Sequence, residues 1–275
     1  MSNSIIPILR ALETDPAIIK LAEGHPIPYV GGLFKVHQDC FYPFPPALLP
    51  IFVDDGNPSI VGLLKHWFLE RDTTIINYDL ETGTFTEKAR NGIQFIADLL
   101  LKMDMLEDGL TPEITQFASD MQYQELQDID EHAEEYGDVP QDFYHLQVIA
   151  EDPPISYVPD LQYYKGDFPA SYRLLNQTQL EKACSFEVPR DWATEVQLPA
   201  WMDRNANKQQ LFDQYLGNKE LDKAWLTLNS RGWVISDAIT ALNQLTTYSS
   251  DPIFLQIVEH YTTGWKTANR LHLNY

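Results

Sequence analysis

The sequence predicts an α+β protein: an N-terminal antiparallel sheet with packed helices, followed by an acidic linker region and a mostly α-helical C-terminal half. Three features carry that prediction. Between residues 48 and 86, short β-prone apolar runs alternate with Asp- and Gly-containing turns. From residue 91 the apolar period lengthens from that of a strand to that of a helix. Beyond residue 174, helical periods dominate, with a cap-then-proline start at Asp251-Pro252.

The chain opens with two short helical segments, residues 4–13 and 16–23. Asp15 before Pro16 has the order of an N-cap followed by a first-turn proline, and Ile18, Ile19 and Ala22 supply an apolar face. Residues 24–32 are too rich in Pro and Gly for regular structure, so a first strand begins near Leu33 and runs to Val36. Residues 41–46 hold three prolines and read as an extended edge segment, because proline cannot donate to a central ladder. Strands follow at 48–53 and 60–64 around a turn at 54–58. A third strand at 73–78 leads into Asp79-Leu80-Glu81-Thr82-Gly83, whose glycine supplies the positive φ of a hairpin loop, and then into 84–86. Ile96, Leu99, Leu100 and Met103 fall at i, i+3, i+4 and i+7 and line one face of a helix.

After Met103 the pattern changes. A boundary or linker at 104–110 divides the chain into an α+β domain at 1–105 and an acidic, mainly helical region at 106–275, a candidate second domain. An acidic helix starts at Thr111, with Pro112 and Glu113 in its first turn, and fades near Gly137. Residues 143–149 and 155–164 read as strands separated by Asp152-Pro153-Pro154. Helices are expected at 178–185, 207–216, 219–229, 236–247 and 252–269. Ile253, Ile257, Val258 and Tyr261 share a face of the last one. Trp192, Trp201, Trp225, Trp233 and Trp265 are expected as core and helix-packing residues.

Composition narrows the function classes. With 275 residues and 44% hydrophobic content the chain can bury a substantial core, while its longest apolar run, 47–53, is far shorter than a bilayer span. The first residues lack the basic and apolar regions of a secretory signal, so a cytoplasmic location is expected. Cys40 and Cys184 stand far apart with no CxxC partner, which suggests neither a disulfide framework nor a thiolate metal site. Forty acids against 19 bases give a formal net charge of -21. Nucleic acid and anionic membrane are poor partners for such a chain. Residues 103–164 contain 16 Asp and Glu and no Lys or Arg, a field that would attract a basic protein.

Candidate chemistry is sparse. His37, Asp39 and Cys40 lie within four residues, but on an extended segment Cys40 faces away from the other two. His66, beside Trp67 and Phe68, could act as a general base; the plainer reading is the partly buried end of a strand. Asp128-Ile129-Asp130-Glu131-His132 opens like a calcium loop, yet Ala133 stands where that loop needs Gly. His132 and Glu135 have i, i+3 spacing without further ligands to complete a metal site, so a solvated acidic face is the better account. No catalytic residue, metal site or cofactor is assigned.

Leu48-Leu49-Pro50-Ile51, an Asp/Gly loop, a strand, His66-Trp67, Tyr78-Asp79, Glu87-Lys88-Ala89-Arg90 and a helix opening near Gln94-Phe95-Ile96 together resemble the SUKH superfamily. That group joins bacterial toxin-immunity proteins to a fungal regulator of cell-wall synthesis. The resemblance covers residues 41–102. It implies an α+β fold and binding in place of catalysis, with an immunity protein neutralising a co-produced toxin, such as a basic nuclease. The expected partner-binding residues are Asp128, Asp130, Glu131, Glu134, Glu135 and Asp138, with Trp67 as an aromatic anchor. Two other readings stand beside it: a cytoplasmic enzyme whose site is assembled from distant residues, and a helical scaffold or regulatory protein.

Overall fold

The structure, a computed structural model, describes residues 5–29, 34–36, 42–54, 58–137, 139, 142–167, 175–178, 181–184, 199–203 and 205–275. Helices α1 (Ile6–Ala11) and α2 (Pro16–Ala22) precede strands β1 (Phe34–Val36), β2 (Leu48–Asp54), β3 (Ser59–Leu64), β4 (Thr74–Asp79) and β5 (Phe85–Ala89). Helices α3 (Gly92–Glu107), α4 (Pro112–Asp120), α5 (Leu126–Tyr136) and α6 (Gln147–Ala150) follow. Strands β6 (Leu175–Thr178) and β7 (Glu181–Cys184) come next, then helices α7 (Lys208–Gly217), α8 (Leu221–Asn229), α9 (Ile235–Leu245) and α10 (Pro252–Thr267). All strand pairs are antiparallel, in the order β1-β2-β3-β4-β5-β7-β6.

The predicted meander forms for the reasons its sequence supplies. Asp79 accepts hydrogen bonds from the N–H groups of Glu81 and Thr82, both at 2.8 Å, and Gly83 takes φ 67° to close the β4–β5 loop. Pro50 is accommodated by a register shift between Pro50 and Phe52. Opposite it, Gly62 is required by close approach: a Cβ there would lie 2.3 Å from the Leu49 carbonyl oxygen.

Strand alternation sends two sets of side chains to opposite sides of the sheet, and both are covered. Leu63 and Ile75 line a cavity together with Ile18 of α2, and Phe52 stacks on Phe95 of α3 with ring centroids 6.4 Å apart. Ile96, Leu99, Leu100 and Met103 are buried as their spacing predicts. On the other side Leu64, Ile76 and Tyr78 approach Asn229 and Arg231. Polar groups stitch this second layer to the sheet. Tyr261 donates to the Leu48 carbonyl at 2.5 Å, Asn229 accepts from the Ala47 N–H at 2.6 Å, and Arg231 donates to the carbonyls of Glu81 and Thr82. Trp201, Trp225, Trp233 and Trp265 are buried as expected; Trp192 lies outside the described residues.

Four local expectations are corrected. The stretch expected as one acidic helix over 111–137 is two helices, because Gln122 adopts φ 60° and the N–H groups of Gln122 and Tyr123 fold back to the carbonyls of Ser119 and Ala118. Residues 143–149 and 155–164 are not strands: they contain a 3-10 turn at Phe143–His145, helix α6 and a 3-10 turn at Leu161–Tyr163. The buried residues Phe143, Leu146 and Ile149 recur every three positions, and residues 153–158 are buried without a break, so neither stretch shows the alternation of a half-buried strand. The helix expected over 178–185 is the strand pair β6–β7, where Cys184 pairs with Phe85 and the ladder overrides helix propensity. Helix α3 itself continues through the stretch read as a linker as far as Glu107 and turns at Asp108 and Gly109.

Candidate partner-binding face

Helix α5 divides its residues cleanly between two sides. Ile129 and His132 are buried, and Leu126, Ala133 and Tyr136 are half-buried beside them. Asp128, Glu131, Glu134 and Glu135 are exposed and Asp130 is half-buried. Five of the six acids chosen from sequence therefore share one short helix; Asp138 lies outside the described residues. No ion pair to these five carboxylates forms among the described residues.

The face extends onto the end of α3, a feature that sequence reading missed. Asp104, 2% exposed, has a carboxylate oxygen with no hydrogen-bond partner among the described residues. Burial, then the charges of Asp130, Glu134 and Asp108, push its pKa up to about 6. The last turn of α3 also carries no basic residue, so the negative end of the helix dipole is uncompensated there. The signal was present in the pattern: Asp104 is four residues beyond Leu100 on the buried side of the helix.

Trp67 does not join these acids. It is half-buried against Phe254 of α10, with ring centroids 5.6 Å apart, and Lys65 lies over its ring. His66 is 3% exposed, further inside than a strand end would place it, and its Nδ1 accepts from the Trp225 indole N–H at 2.9 Å. Burial, reinforced by Arg71 and Lys65, holds it well below the usual histidine range, so it is neutral. His132 is buried while Glu135 faces outward, which separates that candidate pair. Among the described residues no group of three or more His, Cys, Asp or Glu is arranged to hold a metal ion. His37, Asp39 and Cys40 lie outside the described residues.

A second buried carboxyl, Glu87 of β5, was also missed. It accepts from the Ile155 N–H at 2.7 Å and from Arg90 at 3.4 Å, and the Tyr164 hydroxyl lies 3.5 Å away. Burial raises its pKa to about 7 against the opposing pull of those donors. Arg90 continues to Asp152 at 3.2 Å and Asp72 at 3.0 Å. This proton affinity would suit a general acid, but Glu87 is fully buried with its oxygens occupied, and the network ties β5 to the segment that holds Asp152, Ile155 and Tyr164.

Helix lengths and hydropathy add one exclusion: no described helix is long and apolar enough to cross a membrane. Comparison of the chain with protein-family models, known proteins and solved structures finds no match.

Proposed function

We propose that the protein binds a basic protein partner without catalysing a reaction, and that the outer side of α5 and the adjoining end of α3 form the binding face. One observation carries this reading: five carboxylates on α5 and the buried Asp104 beside them have no cation partner among the described residues. Like charges held together cost stability, and a partner that supplies Lys or Arg removes that cost while steering its own approach. The resemblance over residues 41–102 extends the proposal to an immunity protein, cytoplasmic, that neutralises a co-produced toxin such as a basic nuclease.

The test is protection of cells from a toxin encoded beside this protein, with wild type compared to a variant carrying Asp128→Asn, Asp130→Asn, Glu131→Gln, Glu134→Gln and Glu135→Gln. The wild type should bind the toxin and protect. The variant should stay folded and associate about tenfold or more slowly at low salt, with the difference shrinking as salt rises. Equal association rates for the two proteins would reduce the acidic face to a solubilising surface.

A further inference from the structure

We propose that the end of α3 and the facing side of α5 form a receptor for one arginine side chain of the partner, with Asp104 at its floor and Asp108, Asp130 and Glu134 around it. The assignment rests on the reading of this flank as a partner-binding face and names the group it holds. A row of surface acids alone would not justify a site. Here a carboxylate that is 2% exposed keeps an oxygen without a partner among the described residues, and three further acids are near enough for their charge to act on it. A buried acceptor without a donor is destabilising, and a guanidinium offers several donors in a planar fork that suits carboxylates.

The charges that act on Asp104 come from Asp130 and Glu134 on α5 and from Asp108 at the C-cap of its own helix, all of one sign. The nearest base along α3, Lys102, is bound to Asp98 at 2.6 Å. Helix polarity points the same way, because the negative end of a sixteen-residue helix with no basic residue in its last turn lies at this place. Apolar surface is available for the aliphatic stem: Met105 is 37% and Leu106 59% exposed on the same turn of α3, and Val139 is 39% exposed shortly beyond α5. Met105 reaches toward the end of α5, its terminal methyl 3.8 Å from where a Cβ on Gly137 would stand. An apolar stem and a cationic tip are the two halves of arginine, which is enriched among the dominant residues of interfaces.

Arginine binding should draw a proton off Asp104, so affinity depends on pH. Below the raised pKa of about 6 the carboxyl is protonated and the receptor weakens; above it the receptor is charged and complete. The probe is acetyl-arginine-amide, followed by NMR at the Met105 methyl and the Asp104 carboxyl in the full chain. Acetyl-citrulline-amide serves as the uncharged isostere and calcium alone as the competing cation. Saturable shifts with the arginine probe, about tenfold weaker with Asp104→Asn and weakening in wild type from about pH 7 to about pH 5, are expected. The variant's own weak binding should change little over that range. Equal binding of the citrulline probe, or saturable calcium binding that excludes the arginine probe, would overturn the assignment. So would no arginine binding at all; if the toxin still associates more slowly with the α5 variant, the receptor fails while the binding face stands. Arginine binding with no partner effect of the α5 acids would leave the receptor standing and remove the wider proposal.

Discussion

Glu87 and Asp104 are buried carboxyls in two regions of the molecule, and the chain treats them in opposite ways. Around Glu87, the β5 region supplies Arg90, Tyr164 and the Ile155 N–H. Around Asp104, the charges that act from the α3–α5 flank among the described residues are those of Asp108, Asp130 and Glu134. Both carboxyls hold protons into the neutral range, at about 7 and about 6, but for different reasons. At Glu87 desolvation outweighs three favourable donors; at Asp104 burial and repulsion act together. A buried charge that finds its partners inside the chain is part of the framework. One left among its own kind marks a surface whose missing charge comes from outside.

The pH dependence of stability follows from these shifts. A carboxyl with a raised folded-state pKa binds more protons folded than unfolded, so its contribution falls as pH rises, from about 4.5 to about 7 for Glu87 and from about 3.8 to about 6 for Asp104. The buried histidines act in the reverse sense. His260, lowered by burial from 6.5 to about 4, binds fewer protons folded, and its contribution falls as pH drops through that window. His66 adds to the same trend.

The largest break in the comparison should come from Arg90→Met, which leaves Glu87 buried without its cation. Urea unfolding at pH 8 should show a loss of about 3–5 kcal/mol, reduced at pH 5 where Glu87 is protonated. A pH-independent loss would mean that Arg90 acts through packing alone. Next, Leu100→Ala removes a fully buried side chain from the α3 face that both regions share and should cost roughly 2–5 kcal/mol. Leu106→Ala, at an exposed position of the same helix, should change stability by no more than about 0.5 kcal/mol. Asp104→Asn should go the other way, stabilising the free protein by roughly 0.5–2 kcal/mol at pH 8 and by little below pH 3.8, where the wild-type group is neutral in both states. The smallest change is expected from His260→Gln, which should flatten the acid limb of the stability curve between pH 6.5 and about 4 without moving the alkaline limb.

How far these regions could be read from sequence depends on whether local pattern or distant packing sets them. The hairpin at Asp79–Gly83 and the apolar stripe of α3 are local, and both form as their residues indicate. So does the start of α10, where Asp251 accepts from the Ile253 N–H at 2.8 Å. The β6–β7 pair was hidden because its strands are specified by the ladder to Phe85, roughly a hundred residues earlier in the chain. The segment around Phe143 and Ile155 was not legible as helical because it is broken into short turns around Pro153 and Pro154, with no long apolar period to mark them. At the candidate face, the exposed acids of α5 were legible as a charge run, while the packing of Trp67 against Phe254 of α10 depends on a contact far along the chain. Asp104 was legible only through its place four residues beyond Leu100 on the apolar side of α3, while Glu87 escaped because no residue near it in sequence announces that the fold will bury it.

The central claim is that the α3–α5 flank is short of positive charge, and the carboxyl titration of Asp104 by NMR tests it most directly. Asp104 should titrate near 6 in the free protein, and it should fall toward the ordinary aspartate range when Asp130→Asn and Glu134→Gln remove its neighbours. A wild-type titration near 3.8, unmoved by those substitutions, would show that the carboxylate is already compensated and would contradict the account.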